Sequence, residues 1–154
     1  MVKLSITFCL AMLVALSGCT LKTNTMTNLD IIKSTYEGKT SEENGRNLAK
    51  YVAEDISWTE AKGFPYAGTY VGLENVTNNV FYRLGSEWID YKFTPEDYVA
   101  SDDKVVAYGT YTGTYKITGK SFAARVAHVW KLKDGKIIRF EQIVDSQPVN
   151  EAIE

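Results

Sequence analysis

The chain has one histidine in 154 residues, two cysteines and three prolines. Each scarcity excludes something. Zinc sites usually need several His or Cys ligands. Here the only histidine is His128, and Cys9 and Cys19 both fall near the N-terminus. Carboxylates alone can hold calcium, but no acidic calcium-loop spacing occurs. No metal and no cofactor is therefore expected. There are 17 basic against 19 acidic residues and no cationic stripe, so nucleic acid is not an expected partner. The N-terminal apolar run, from about Leu4 to Leu16, is short of the about 20 residues that a bilayer-spanning helix takes. No internal repeat or low-complexity segment is evident.

What is present begins with an address. Lys3, the short apolar run and then Leu16-Ser17-Gly18-Cys19 have the order of a cleaved leader. The segment resembles a bacterial lipoprotein signal, which implies that residues 1–18 are removed and that Cys19 is lipidated. By the same resemblance the protein is lipid-anchored to the bacterial cell envelope. In an organism with two membranes, Thr20 after the cysteine implies the periplasmic face of the outer membrane. Loss of Lys3 leaves 16 basic against 19 acidic residues, net −3, and no thiol in the remaining domain. Residues 19–28 are polar and aperiodic and read as a lipidated cysteine with a flexible tether. About 135 residues remain after the leader, enough for one domain with a core of its own.

That domain is placed at 29–147, with 148–154 as a C-terminal tail. Asn28 is a candidate N-cap for a helix whose apolar face is Ile31, Ile32 and Tyr36. Thr40-Ser41-Glu42-Glu43 restarts a helix bearing Leu48, Tyr51 and Val52 on one side. Asp55–Glu60 reads as a short strand, and the Gly- and aromatic-rich AKGFPYAGTYVG that follows as a loop. Residues 72–84 read as a third helix. From Trp88 onward the chain is β, with turns at Asp102-Asp103, Thr118-Gly119-Lys120 and Asp134-Gly135. Pro95 marks an edge or a bulge. Helices ahead of antiparallel strands define an α+β class. The expected architecture is three N-terminal helices packed on a strongly curved antiparallel sheet, a cone or barrel, with glycines 109, 113 and 119 easing the bend.

The lone histidine sits in AHVWKLKDGKI (127–137). Phe122, Ala124, Val126, His128, Trp130 and Leu132 form the more apolar face of their strand, so His128 should point inward. The partner across the final hairpin stays open. A two-residue Asp134-Gly135 loop pairs Leu132 with Ile137 and sets Glu141 and Asp145 on His128's face. A three-residue loop sets Phe140, Gln142 and Val144 there, and a late bulge would change the phase again.

The order of elements, with Trp58 and GFPYAGTYVG (63–72), TGK (118–120), AHVWKLKDGKI (127–137) and Asp145 after FEQIV (140–144), resembles the nuclear transport factor two-like superfamily. The closest flavour is the SnoaL-like, ketosteroid-isomerase-related group. The resemblance covers nearly all of residues 29–147. It implies the cone fold and leaves the reaction open, since the fold carries isomerases, cyclases, hydrolases, dehydratases and non-enzymes. Ketosteroid isomerase uses an Asp base and an oxyanion hole made of a Tyr and a protonated Asp. By its spacing, Tyr36 matches the tyrosine, since it lies nineteen residues before Asp55. Glu60, five residues further, matches the base. The oxyanion aspartate is missing, and its place falls on His128 or on Ala127. The SnoaL-like cyclases add Asp145 as a base.

The resemblance thus makes Tyr36, Glu60, His128 and Asp145 the candidate catalytic residues. Trp58, Tyr66, Phe122 and Trp130 are the candidate walls for a small, partly apolar or carbonyl-bearing ligand. Three readings stand side by side: a ligand-binding lipoprotein domain, an acid–base enzyme of isomerase or cyclase type, and a protein-interaction module of the envelope. A closed pocket with a strongly shifted carboxylate favours the enzyme, and a pocket without one the binder. The resemblance also allows a homodimer through the sheet face.

Overall fold

A computed structural model of the chain describes residues 26–154. The leader, Cys19 and most of the tether lie outside the described residues. Helix α1 (Asn28–Ser34) is capped by Thr27 rather than by Asn28. The Thr27 hydroxyl accepts from the Asp30 N–H at 3.1 Å, and the Asp30 carboxylate accepts from the Thr27 N–H at 2.9 Å. This reciprocal box fixes the start one residue earlier than the sequence suggests. Helix α2 (Ser41–Tyr51) begins at its expected cap, Thr40.

Strands β1 (Val52–Glu60) and β2 (Gly68–Val71) form a hairpin, so part of the expected loop is a short strand. Gly72, at φ 83°, turns the chain into the next helix, a backbone state open mainly to glycine. Helix α3 (Leu73–Val76) passes through a π-helical segment (Thr77–Phe81) into α4 (Tyr82–Glu87). The single helix expected over 72–84 is therefore longer and carries an irregular turn.

Then come β3 (Trp88–Ser101), β4 (Lys104–Tyr115), β5 (Ser121–Lys133) and β6 (Lys136–Val144). The sheet order is β2-β1-β6-β5-β4-β3. The α+β class holds, but the all-antiparallel, strongly curved sheet does not. Strand β1 pairs parallel with β6, and the sheet remains open at β2 and β3. The C-terminal residues are not a tail. Residues Gln147–Ile153 form α5, which buries Val149 and Ala152.

Glycine acts here through close approach as well as through turns. At Gly109 a Cβ would stand 2.1 Å from the Thr94 carbonyl oxygen. The missing side chain lets β4 meet β3 where its register shifts between Pro95 and Asp97.

The final hairpin has a two-residue loop, with Asp134 and Gly135 at φ 51° and 73°, as a type I′ turn requires. Leu132 pairs with Ile137, but Lys131 pairs with Arg139, so Ile138 is bulged out. The bulge reverses the phase of β6. Phe140 faces Trp130 and Gln142 faces His128. The early pairing thus follows one of the open registers and the inner face follows the other.

Candidate active site

The helices lie across the inner face of the sheet and leave a cavity of about 170 Å³. Its floor comes from β1, β4, β5 and β6, through Trp58, Glu60, Tyr111, His128, Trp130, Phe140 and Gln142. The half-buried Tyr36, Leu48, Phe81, Leu84, Tyr91 and Phe93 form its outer rim. The π-helical segment supplies both Val80 and Phe81, and such irregular turns recur at functional sites.

Strand alternation explains the floor. Trp58 and Glu60 are two apart on β1 and face the same side, as do His128 and Trp130 on β5. Trp58 stacks on Phe140 with ring centroids 3.9 Å apart, and Trp130 meets both edge-on or tilted, at 5.5 and 4.6 Å. Each such aromatic pair is worth about 0.5–1.5 kcal/mol beyond its buried area. The walls are therefore rigid.

Glu60 is 4% exposed. Its Oε1 accepts from the Trp58 indole N–H at 2.7 Å, while its Oε2 is buried without a hydrogen-bond partner. Burial pushes its carboxyl up to about 7, against the opposing pull of the Trp58 hydrogen bond and the Gln142 amide. His128 is 5% exposed. Its Nδ1 lies 2.6 Å from the Tyr36 hydroxyl and its Nε2 2.5 Å from the Tyr111 hydroxyl. Burial drives the imidazole down to about 3, so it is neutral at ordinary pH. Burial likewise raises Tyr36, Tyr91 and Tyr111, with Glu60 adding to the effect at all three and neighbouring hydroxyls adding to it at Tyr36 and Tyr91. These phenols stay protonated; Tyr36 and Tyr111 are bonded to the ring nitrogens of His128, and the Tyr91 hydroxyl is buried without a partner.

Tyr36, Glu60 and His128 thus come together with Trp58 and Trp130, as the sequence suggests. Asp145 does not join them. It lies exposed just beyond β6, where its carboxylate accepts from the Gln147 N–H at 3.3 Å at the start of α5. Tyr66 and Phe122 are also outside the cavity. The Tyr66 hydroxyl donates to Glu87 at 2.8 Å and accepts from the Trp88 indole at 2.7 Å. Phe122 packs against Trp88 at 5.0 Å and Tyr91 at 6.0 Å, in a neighbouring aromatic cluster. Two polar residues of the cavity floor were not among the candidates: Tyr111, and Gln142, which stood on His128's face in only one of the open registers. Parity could have found Tyr111, which sits opposite Ala124 on the inner face. Nothing local marks Gln142, because the bulge turns it inward.

A SnoaL-like domain profile matches residues 36–140, more than half of the chain, and the chain belongs to that family. An NTF2-like protein from Burkholderia thailandensis is 40% identical, with TM-score 0.80, over 84% of this chain and 99% of that one. At lower identity the likeness is one of fold. A putative SnoaL-like polyketide cyclase from Mesorhizobium loti is 23% identical, with TM-score 0.64, over 77% and 99% of the two chains. TerC, co-crystallised with polyporic acid, is 22% identical, with TM-score 0.71, over 82% and 97%. No curated protein matches the chain.

Proposed function

We propose that the cavity is an acid–base site that removes a proton next to the carbonyl of a small, partly apolar compound, as an isomerase or cyclase does. The observation that carries this reading is the unpartnered Oε2 of Glu60, a buried carboxylate oxygen in an aromatic cavity. A base poised near neutral pH is matched to the task. Glu60 takes the carbon-bound proton, and the electron pair moves onto the carbonyl oxygen. A tyrosine hydroxyl meets the negative charge that develops there. The size of the cavity narrows the substrate. An engineered apolar cavity of about 150 Å³ holds benzene, so this one takes a single ring or its equivalent.

The test is solvent-deuterium exchange into single-ring ketones, followed by proton NMR. The wild-type domain should accelerate exchange, and Glu60→Gln should lose the acceleration. Ketones that bind without exchanging would instead support the non-catalytic binding domain.

The address and assembly belong to the same proposal. Cys19 carries lipid and holds the domain at the envelope. Palmitate labelling and detergent partitioning should both be lost in Cys19→Ser. The outer sheet face sets Val99, Val106 and Val129 in one cross-strand row, with Ile143 exposed on β6. This supports a homodimer, and a monomer in sedimentation at micromolar concentration would remove that part.

A further inference from the structure

His128 has no part in the chemistry so far, although it is fully engaged. The Trp130 indole N–H donates to the Tyr36 oxygen at 3.0 Å. At the other end, the Gln142 amide Nε2 donates to the Tyr111 oxygen at 3.3 Å. The orientation of that amide is fixed, because its Oε1 accepts from the Ala61 N–H at 3.1 Å. Each tyrosine oxygen therefore already accepts one hydrogen bond from a donor that cannot reverse. Each also touches one nitrogen of the ring.

A neutral imidazole offers one N–H and one lone pair. One tyrosine must donate into the lone pair, and the other must accept from the N–H. The accepting oxygen then takes two donors, and its own proton has no partner in the chain of bonds. If the ring N–H is on Nδ1, the surplus proton is on Tyr36. If it is on Nε2, the surplus proton is on Tyr111. An unpartnered buried donor is costly, because it has given up its hydrogen bond to water without replacing it. One hydroxyl proton of this chain of bonds is therefore surplus, and the buried oxygens of the cavity that stand without a partner are Glu60 Oε2 and the Tyr91 hydroxyl, whose own proton would then be the surplus one.

We propose that Tyr36, His128 and Tyr111 form a reversible relay whose single surplus hydroxyl proton is held for a ligand's carbonyl oxygen, and that the tautomer of His128 selects which tyrosine presents it. The inference rests on the acid–base reading of the cavity. His128 is then a positioning residue. The relay presents a proton and does not surrender it. Passing it fully to the ligand would leave a buried tyrosinate, and burial raises both phenols. The consequence is selectivity, since the site favours ligands that accept a hydrogen bond over apolar ones of equal size.

The only histidine in the sequence makes the test direct. The ring nitrogens of nitrogen-15-labelled His128 are followed by NMR in the full domain, free and with cyclohexanone or methylcyclohexane. Glu60-dependent deuterium exchange into the ketone is recorded on the same samples. One protonated and one unprotonated nitrogen should appear in the free protein. Cyclohexanone should move the two resonances in opposite directions, and methylcyclohexane should not. Replacing the presenting tyrosine, Tyr36→Phe or Tyr111→Phe, should abolish that response and weaken cyclohexanone binding about tenfold.

Two protonated nitrogens at neutral pH, or equal responses to both probes, overturn the relay. Exchange without a nitrogen response overturns the relay alone. A nitrogen response without exchange overturns the acid–base reading and keeps the relay as a device for binding. Absence of both overturns both. The wild-type measurement stands even where a tyrosine variant fails to fold.

Discussion

Trp58 donates its indole N–H to Glu60 across 2.7 Å from two positions earlier on the same strand face. The bond fills one carboxylate oxygen and leaves the other to the cavity. It also holds the Glu60 carboxyl lower than burial alone would. In Trp58→Phe the carboxyl should therefore titrate above its wild-type midpoint of about 7, and any exchange activity should shift to higher pH with it. Carbon-13 NMR of labelled glutamate reads this directly. An unchanged midpoint would mean that the indole does not tune the base.

Glu60 and His128 oppose one another in the pH dependence of stability. The Glu60 carboxyl holds its proton more tightly in the folded state, about 7 against 4.5. Its contribution is fully present below about 4.5 and is lost as pH rises toward 7. The His128 ring holds its proton less tightly when folded, about 3 against 6.5. Its contribution is present above about 6.5 and is lost as pH falls toward 3. Where these windows overlap the two slopes cancel, each being about 1.4 kcal/mol per pH unit. Urea unfolding at stepped pH should show a plateau from about 4.5 to 6.5 in the wild type. Glu60→Gln should replace the plateau with a rise of roughly 2–3 kcal/mol. A rise of that size in the wild type would contradict the shift of Glu60.

The ring protons of His128 should not titrate between about pH 4.5 and 9, because burial holds the imidazole neutral down to about 3. A midpoint near 6.5, the value of a free side chain, would place the ring in water and dissolve the tyrosine contacts described for it.

Gly109→Ala should destabilise the domain by about 2 kcal/mol or more, since the new methyl would enter the Thr94 carbonyl and approach the Pro95 Cα within 2.9 Å. The denaturation midpoint should fall without a change in slope. A neutral result would mean that the bulged edge strand yields easily.

Much of this was legible in the sequence. Six alternating residues on β5 are enough to aim His128 inward, because a strand's period of two leaves no other choice. Glu60 and Trp58 came instead from the family resemblance, and the same rule on β1 explains why they share a face. Strand β2 was lost because it is four residues long, mostly exposed and set among glycines, so it has no apolar alternation to read. Helix α5 was lost because its stability is tertiary. Its seven residues hold through the burial of Val149 and Ala152 and through bonds such as that from Thr118 to the Ala152 carbonyl at 2.5 Å. The choice between Asp145 and Gln142 on His128's face stayed open in the sequence, and it falls to Gln142 for one reason. A single bulged residue past the turn changes which side of β6 faces in, and local propensity carries no trace of it.

That bulge at Ile138 also works as a selector. Counted straight from the Leu132–Ile137 pair, β6 would turn Arg139, Glu141 and Ile143 toward the helices and Phe140 and Gln142 away from them. The Trp58–Phe140 stack would be gone, and a second carboxylate would stand across from His128. The identity of the floor is therefore stored in a number of residues, not in their kinds. An insertion or deletion of one codon between the turn and Phe140 exchanges an amide-and-ring floor for a charged one while every other strand keeps its sequence.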